Sequence, residues 1–290
     1  WPGGDCVHAP TPLAPPPRRG RGLVVTVHDT VAWTHPETLT DRGAAWHRAA
    51  IASATARAGA VVVPTAAVAD ELVRYAPGPV PVEVVGNGVS TVVTEEPDAH
   101  TSATVAARLA LPERYVLALG TIEPRKGLDV LVHAVVGLDV PLVVVGQHGW
   151  GGVDLAAVAA TSGLPARRLR LLGRLDDADL AVVLHRATVL AVPSLAEGFG
   201  LGLLEAMAAG VPVVHSDAPA LVEVAGGAGV TVPRGDAAAL AAALRDVLAD
   251  PDRWTSAGRS RAAEFGWDAA ARAVWRLHLS LYAGAGQRTR

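Results

Sequence analysis

Lysine is almost absent from this chain. Of 25 basic residues only Lys126 is lysine, and the rest are arginine. In a composition that avoids lysine, the place of that one residue is informative. Cysteine is equally scarce. Cys6 stands alone, so neither an internal disulfide nor a cysteine-rich zinc site can form, and a reducing compartment fits. No apolar run approaches the ~20 residues that a bilayer span requires, because Gly, Pro and Glu interrupt the richest stretches. Basic charge is not in excess either. The formal net charge of −3 gives no global basic field, so a nucleic-acid partner is not expected. Methionine occurs once, at Met207. The Trp1-Pro2 opening lacks the basic and apolar regions of a signal peptide. The chain therefore reads as a fragment or a processed form.

What is present is a large apolar fraction, half of the 290 residues, which favours two domains. Short apolar runs alternate with helical stretches. Asp5 to Ala9, Leu23 to Val27, Ala60 to Val63 and Val82 to Val85 read as strands of a first half. Tyr115 to Leu119, Leu142 to Val145, Arg170 to Leu172, Val189 to Val192, Val211 to Val214 and Val230 to Val232 read as strands of a second. Such alternation predicts parallel sheets in two doubly wound α/β domains. The polar, weakly periodic residues from Ser90 to Leu111 are expected to hold the linker. Trp46 is expected to anchor the core from an Ala-rich helix over 42–58. Thr65 is placed to cap the following helix. Helices should finish the chain, with a disordered tail from Ala283. The Pro-rich loop over 10–22, with Arg18, Arg19 and Arg21, reads as an extended solvated segment; contact with an anionic acceptor or lipid surface is its functional alternative.

The stretch that organises the chemistry is VPSLAEGFGLGLLEAMAAGVPVV, Val192 to Val214. A strand ends in a Pro-Ser loop, Glu197 follows, then Gly198-Phe199-Gly200, and a helix carrying Glu205 begins. The glycines let backbone approach a ligand. The free N–H groups of a first helical turn suit a phosphate. Glu197 and Glu205 place hydroxyl acceptors on either side of that anion cradle. A helix capped by its own acids would explain Glu197 but not the paired glycines. Arg125 and Lys126 lie together in a loop after a buried strand, just before a helix. Two cations there oppose the helix dipole, and a bound diphosphate would reverse the penalty. His28 and Asp29 end the run LVVTV, at the carboxyl end of a strand, where ligands of parallel sheets sit. A histidine that merely bonds the next loop is the competing reading.

The long stretch resembles the E-x7-E region of glycosyltransferase family 4, the group 1 glycosyl transferases, which are retaining enzymes of GT-B architecture. Further matches extend from Val7 to the C-terminal helices. Gly120 and Lys126 match the family's Gly-x5-Lys element, although Thr121 stands where an arginine is frequent, and Arg125 is its substitute. GTIEPRKG and the His-Asp after VVTV look most like bacterial mannosyltransferases of surface-polysaccharide assembly.

The resemblance implies a GT-B fold, with two Rossmann-like domains whose parallel sheets face an interdomain cleft and the first domain incomplete. The expected division is 1–98 for the acceptor-side domain and 99–266 for the nucleotide-sugar domain. Residues 267–290 would form a helix packing back toward the first domain, and a tail. It implies transfer of a hexose, mannose favoured, from a nucleotide sugar to a glycan or lipid-linked acceptor. GDP-mannose is the favoured donor and a UDP-sugar the alternative. His28 would lie beside the transferred sugar. Arg125 and Lys126 would bind the diphosphate. Glu197 and the amides of Gly198, Phe199, Gly200 and Leu201 would meet the sugar and phosphates, Glu205 the ribose, and Leu175 the base through its main chain. Gly120 belongs to the donor loop. Asp29 and Asn87 fall on the acceptor or sugar side. No cofactor and no metal are expected. Cytoplasmic placement, with peripheral contact at the inner membrane surface, is compatible with the relatives. A GT-B epimerase, a phosphorylase and a non-catalytic nucleotide-sugar-binding fragment are the rival functions. A dinucleotide dehydrogenase is disfavoured, because Gly146-Gln147-His148-Gly149 lacks the Gly-x-Gly-x-x-Gly spacing.

Overall fold

Two parallel sheets organise the computed structural model, which describes residues 4–287. The chain divides into two units. The first holds 1–88, Glu197–Phe199 and 265–290, and the second holds Val89–Ala196 and Gly200–Glu264.

The first sheet takes its strands in chain order: β1 (Cys6–Ala9), β2 (Gly22–Thr26), β3 (Ala60–Val63) and β4 (Val82–Val84), all parallel. Val24, Val25, Val61 and Val63 are fully buried, as the continuous Val runs require of strands covered on both faces. β1 is less buried than its apolar run suggests: Cys6, Val7 and His8 are half-buried and Ala9 alone is buried. Of its connecting helices, α1 (Val31–Thr34) follows β2, and α2 (Asp41–Arg57) begins where Thr40 accepts a hydrogen bond from the Gly43 amide. α3 (Ala66–Tyr75) begins at Thr65, whose hydroxyl accepts from the Val68 amide. Trp46 is not a core anchor. It is 43% exposed on α2 and meets the edge of His47. Alanines and Ile51 on the opposite face of that helix fill the core, leaving no depth for an indole.

The second unit begins with two helices where a linker was expected, α4 (Thr91–Thr94) and α5 (Ala99–Arg108). Both pack on α8 (Asp177–His185). Val93 and Val105 bury there, so spaced single valines suffice where strict periodicity is weak. The sheet contains β5 (Val116–Leu119), β6 (Leu142–Val145), β7 (Leu169–Gly173), β8 (Val189–Val192), β9 (Val213–Ser216) and β10 (Val230–Val232), in the order β10-β9-β8-β5-β6-β7. After β5 the chain moves one way to β6 and β7, then crosses back to β8 and continues outward. The sheet is doubly wound, and its topological switch lies between β5 and β8. Helices α6 (Leu128–Val135), α7 (Leu155–Ser162), α9 (Leu201–Ala209), α10 (Pro219–Ala225), α11 (Ala237–Ala249) and α12 (Asp252–Ala262) complete the unit. Its core runs from Val116 to Val247 and takes in both sheet and helices.

The last helix, α13 (Trp267–Gln287), packs on β1 and β2 of the first unit. It continues through the first part of the segment expected to be a disordered tail; residues 288–290 lie outside the described residues, as do the opening residues Trp1 and Pro2. Among the described residues no helix is long and apolar enough to cross a membrane.

Candidate functional site

In the first unit the sequence-derived residues gather at the carboxyl ends of β2, β3 and β4. His28 is exposed, and its Nε2 lies 2.8 Å from the Pro10 carbonyl. A carbonyl only accepts, so Nε2 carries the proton and donates. Asp29 accepts from the Val31 amide at 3.1 Å and so starts α1. The segment Glu197–Phe199 packs against these ends. The Gly198 backbone lies so close to His28 that an added Cβ would sit 1.7 Å from the His28 carbonyl oxygen. Only glycine fits. The Thr65 hydroxyl donates to the Gly198 carbonyl at 3.0 Å while accepting from Val68 at 3.2 Å. Phe199 is buried and meets Phe265 edge-on, with ring centroids 5.8 Å apart. Asn87, half-buried, lies between Gly86, which faces the Phe199 ring, and Gly88, which abuts Trp267.

In the second unit the loops after β5 and β8 flank the switch point, the crevice where open α/β sheets bind ligands. Gly120 ends β5 with φ of +135°, and the Lys126 side chain lies over it, with Cε 3.3 Å from the position of an added Cβ. A 3₁₀ turn, Pro124–Lys126, carries the two cations. Gly127 then turns the chain into α6 at φ +60°, tight against the Pro193 carbonyl. The two loops are joined by hydrogen bonds. Leu195 donates its amide to the Arg125 carbonyl at 2.8 Å, and the Arg125 guanidinium donates to the Ala196 carbonyl at 2.9 Å.

Arg125 also pairs with Glu123 at 2.6 Å. On sequence alone Arg125 and Lys126 are two adjacent cations that oppose a helix dipole. Glu123, two residues upstream, offsets one of them, so Arg125 braces the loop before Glu197. Arg234 braces the same loop from the other side, bonded to Asp217 at 2.8 Å and to the Leu195 carbonyl at 3.3 Å. Arg234 carries no signal in the sequence. Thr65 showed only its capping role, and its partner Gly198 is 133 residues away.

Gly200 caps α9 in the left-handed region at φ +91°, and Leu201 opens the helix, exposed. Glu205 follows one turn later and is only 9% exposed. Burial, and secondarily the negative charge of Asp177, push its carboxyl up to about 7. A carboxylate so placed loses little by accepting hydrogen bonds from a ligand that replaces lost water. Leu175, half-buried, lies in the loop between β7 and α8, two residues before Asp177. An expectation that the chain lacks an Asp-x-Asp triplet is incorrect, since the sequence contains two. Asp177 and Asp179 sit in the first turn of α8, where Asp179 pairs with Arg108, and Asp250 and Asp252 flank the start of α12. In both places acids favour a helix dipole.

Two family models cover most of the chain. Residues 4–93 match Glycosyltransferase Family 4 and residues 113–250 match Glycosyl transferases group 1. The chain belongs to the family 4, group 1 glycosyltransferases. Among relatives of this family, it is 37% identical over 164 residues to O-antigen chain mannosyltransferase B of Escherichia coli, covering 53% of this chain and 42% of that one. It is 30% identical over 280 residues to a glycogen synthase of Mycobacterium tuberculosis, covering 91% of this chain and 64% of that one. The structure matches a sucrose-phosphate synthase from Thermosynechococcus elongatus with a TM-score of 0.79 and 25% identity, over 97% of this chain and 74% of that one. The fold is GT-B, an α/β architecture of two parallel-sheet domains. The chain spans less than two thirds of the length of these curated relatives.

Proposed function

We propose that this chain binds a nucleotide sugar through its second unit and serves the retaining transfer of a hexose to a glycan or lipid-linked acceptor. The observation that carries this reading is the joining of the β5 and β8 loops at the switch point. It supports a single diphosphate position served by Lys126, Arg125, the Gly120 turn and the first amides of α9, at Gly200 and Leu201. Glu205 accepts from the ribose hydroxyls, and the main chain at Leu175 meets the base. Glu197, with Gly198 and Phe199, contacts the sugar. The family resemblance assigns His28 to the transferred sugar and Asp29 and Asn87 to the acceptor side. Loss of the diphosphate is the step that needs help. Charge-assisted bonds from Lys126 and Arg125 are stronger to the leaving diphosphate than to the intact donor, and that difference lowers the barrier. The acceptor hydroxyl attacks from the face of departure and gives its proton to the departing diphosphate oxygen, without a metal. Mannose from GDP-mannose is the favoured donor, on the motif likeness and the mannosyltransferase relative; the glycogen synthase relative keeps UDP- and ADP-sugars in the test.

Because the chain is shorter than its relatives, donor binding is the first measurement. Calorimetric titration with GDP, UDP, ADP and their sugar conjugates should show selective binding of one base, lost in Glu205→Ala. Equal affinity in the parent and Glu205→Ala would remove the ribose assignment. Product analysis then separates a transferase from an epimerase or phosphorylase, since only the transferase yields a new glycoside of a second sugar or lipid.

A further inference from the structure

The first unit carries a second set of cations, remote from the cluster around His28. No acidic residue occurs from Cys6 to His28, nor from Arg42 to Ala69, in a chain whose net charge is negative. Arg18, Arg19 and Arg21 lie exposed on the loop before β2, and Arg57 is exposed in the last turn of α2. The four line one concavity of about 660 Å³, floored by Gly22 and Gly59 and closed by Ser280 and Leu281 of α13. Among the described residues that line it, none carries a carboxylate. A position at a helix C-terminus explains Arg57. It does not explain three loop arginines converging on the same space, where their mutual repulsion is unfavourable unless an anion enters.

Beside the concavity lies a groove of another kind. Sharing Pro17, Leu23 and Arg57, a channel of about 290 Å³ runs between the proline segment 12–17 and α2. Its walls mix apolar groups, Trp46 and Ala50 among the prolines, with the polar Ser53 and Arg57. Leu13 is 74% exposed at this groove and Trp46 43%, so water-exposed apolar surface adjoins the arginine pocket. Guanidinium forks match phosphate oxygens. Free phosphate would fill the pocket and leave the groove wet. A molecule that is anionic at one end and hydrocarbon at the other uses both.

We propose that Arg18, Arg19, Arg21 and Arg57, with the groove beside Trp46, form a binding site for a phosphate-bearing lipid. The phosphate lies among the arginines and the chain lies along the groove. The arginine pocket surrounds the start of β2, whereas His28 follows its other end, roughly 20 Å away at the rise of a strand. The site therefore retains the protein on a lipid and leaves the carboxyl ends of the strands clear.

Calorimetric titration of the whole chain with dioctanoyl phosphatidic acid, kept below its micelle concentration, tests this. Saturable binding is expected. Inorganic phosphate and dioctanoyl phosphatidylcholine should each bind at least about tenfold more weakly, since each offers only part of the chemistry. Arg18→Gln combined with Arg21→Gln should abolish binding. Trp46→Ser should weaken the lipid but leave inorganic phosphate unchanged. These side chains are exposed, so an unaltered thermal midpoint in the variants separates lost binding from lost folding; Leu13→Ser serves as the apolar probe if Trp46→Ser fails that control. Inorganic phosphate binding as tightly as the lipid would reduce the site to a plain anion pocket. Phosphatidylcholine binding equally well would reduce it to a greasy groove. Absence of saturable lipid binding would overturn it.

Discussion

Glu205 is a helical glutamate whose surroundings decide its charge. Unfolded, it titrates at the ordinary 4.5; folded, burial and Asp177 raise it to about 7. Between those values the folded chain holds a proton that the unfolded chain has lost. Its contribution to stability is therefore full below about 4.5, declines as pH rises, and is gone above about 7, a change of at most about 3 kcal/mol. Without nucleotide, Glu205→Gln should match the parent in urea unfolding at low pH and exceed its stability at about pH 8 by up to that amount. Identical unfolding curves at the higher pH would show that the carboxyl is not held protonated. If ribose hydroxyls donate to the carboxylate, nucleotide binding releases a proton near neutrality, seen as buffer-dependent enthalpy.

Lys126 poses the complementary case. It is half-buried in a loop, with its stem over Gly120. Charge-assisted bonds are worth about 1.5–3 kcal/mol, so Lys126→Ala should weaken nucleoside diphosphate binding roughly 10- to 150-fold, with stability changed by less than about 0.5 kcal/mol. Unchanged diphosphate affinity would take Lys126 out of the site.

At the scale of elements, shape and the Thr65 hydroxyl help to hold the segment Glu197–Phe199. Thr65 both caps α3 and holds the Gly198 carbonyl. Thr65→Val keeps the volume and removes both bonds, at a cost of about 1–2 kcal/mol, while Thr65→Ser should restore most of it. Urea unfolding of the two variants decides this, and a Val variant as stable as the parent would refute the double role. The elements themselves were largely legible from local pattern. Val-rich runs gave strands, and the Gly-rich start before Leu201 gave α9. Where structure and local pattern differ, tertiary packing is the reason. The helices at 91–108 have few apolar residues and are stabilised by packing on α8, and tertiary contact outweighs weak periodicity. Tryptophan usually packs inward, yet the helix of Trp46 turns alanine and Ile51 to the core instead.

At the scale of the whole chain, α13 is distant in sequence from the sheet it covers. Leu281 lies over Gly22 and Gly59, and His278 meets His8 edge-on, with ring centroids 5.2 Å apart. The second unit draws its core from residues 116–247 and needs none of this. Ending the chain at Glu264 should therefore strip amide protection in hydrogen exchange from Leu23–Val27 and leave it at Val116–Leu119. Equal loss in both segments would contradict the division into units.

The sequence by itself determined the alternation of strand and helix, the parallel sheets, and the grouping of Glu197, the glycines and Glu205, because each depends on neighbours within a few turns of chain. Lys126 was conspicuous through composition alone. The tertiary structure decided what those residues touch. Arg125 bonds Glu123 and Ala196, Gly198 lies against His28 and Thr65, Asp177 raises Glu205, and arginines from a loop and a helix share one pocket with α13. Most of these pairings join segments tens of residues apart or more, brought together by strand order and helix packing, and a single sequence carries no local signal of its distant partners. The exception is Arg125 with Glu123, a near neighbour, whose pairing depends on the bend of one 3₁₀ turn.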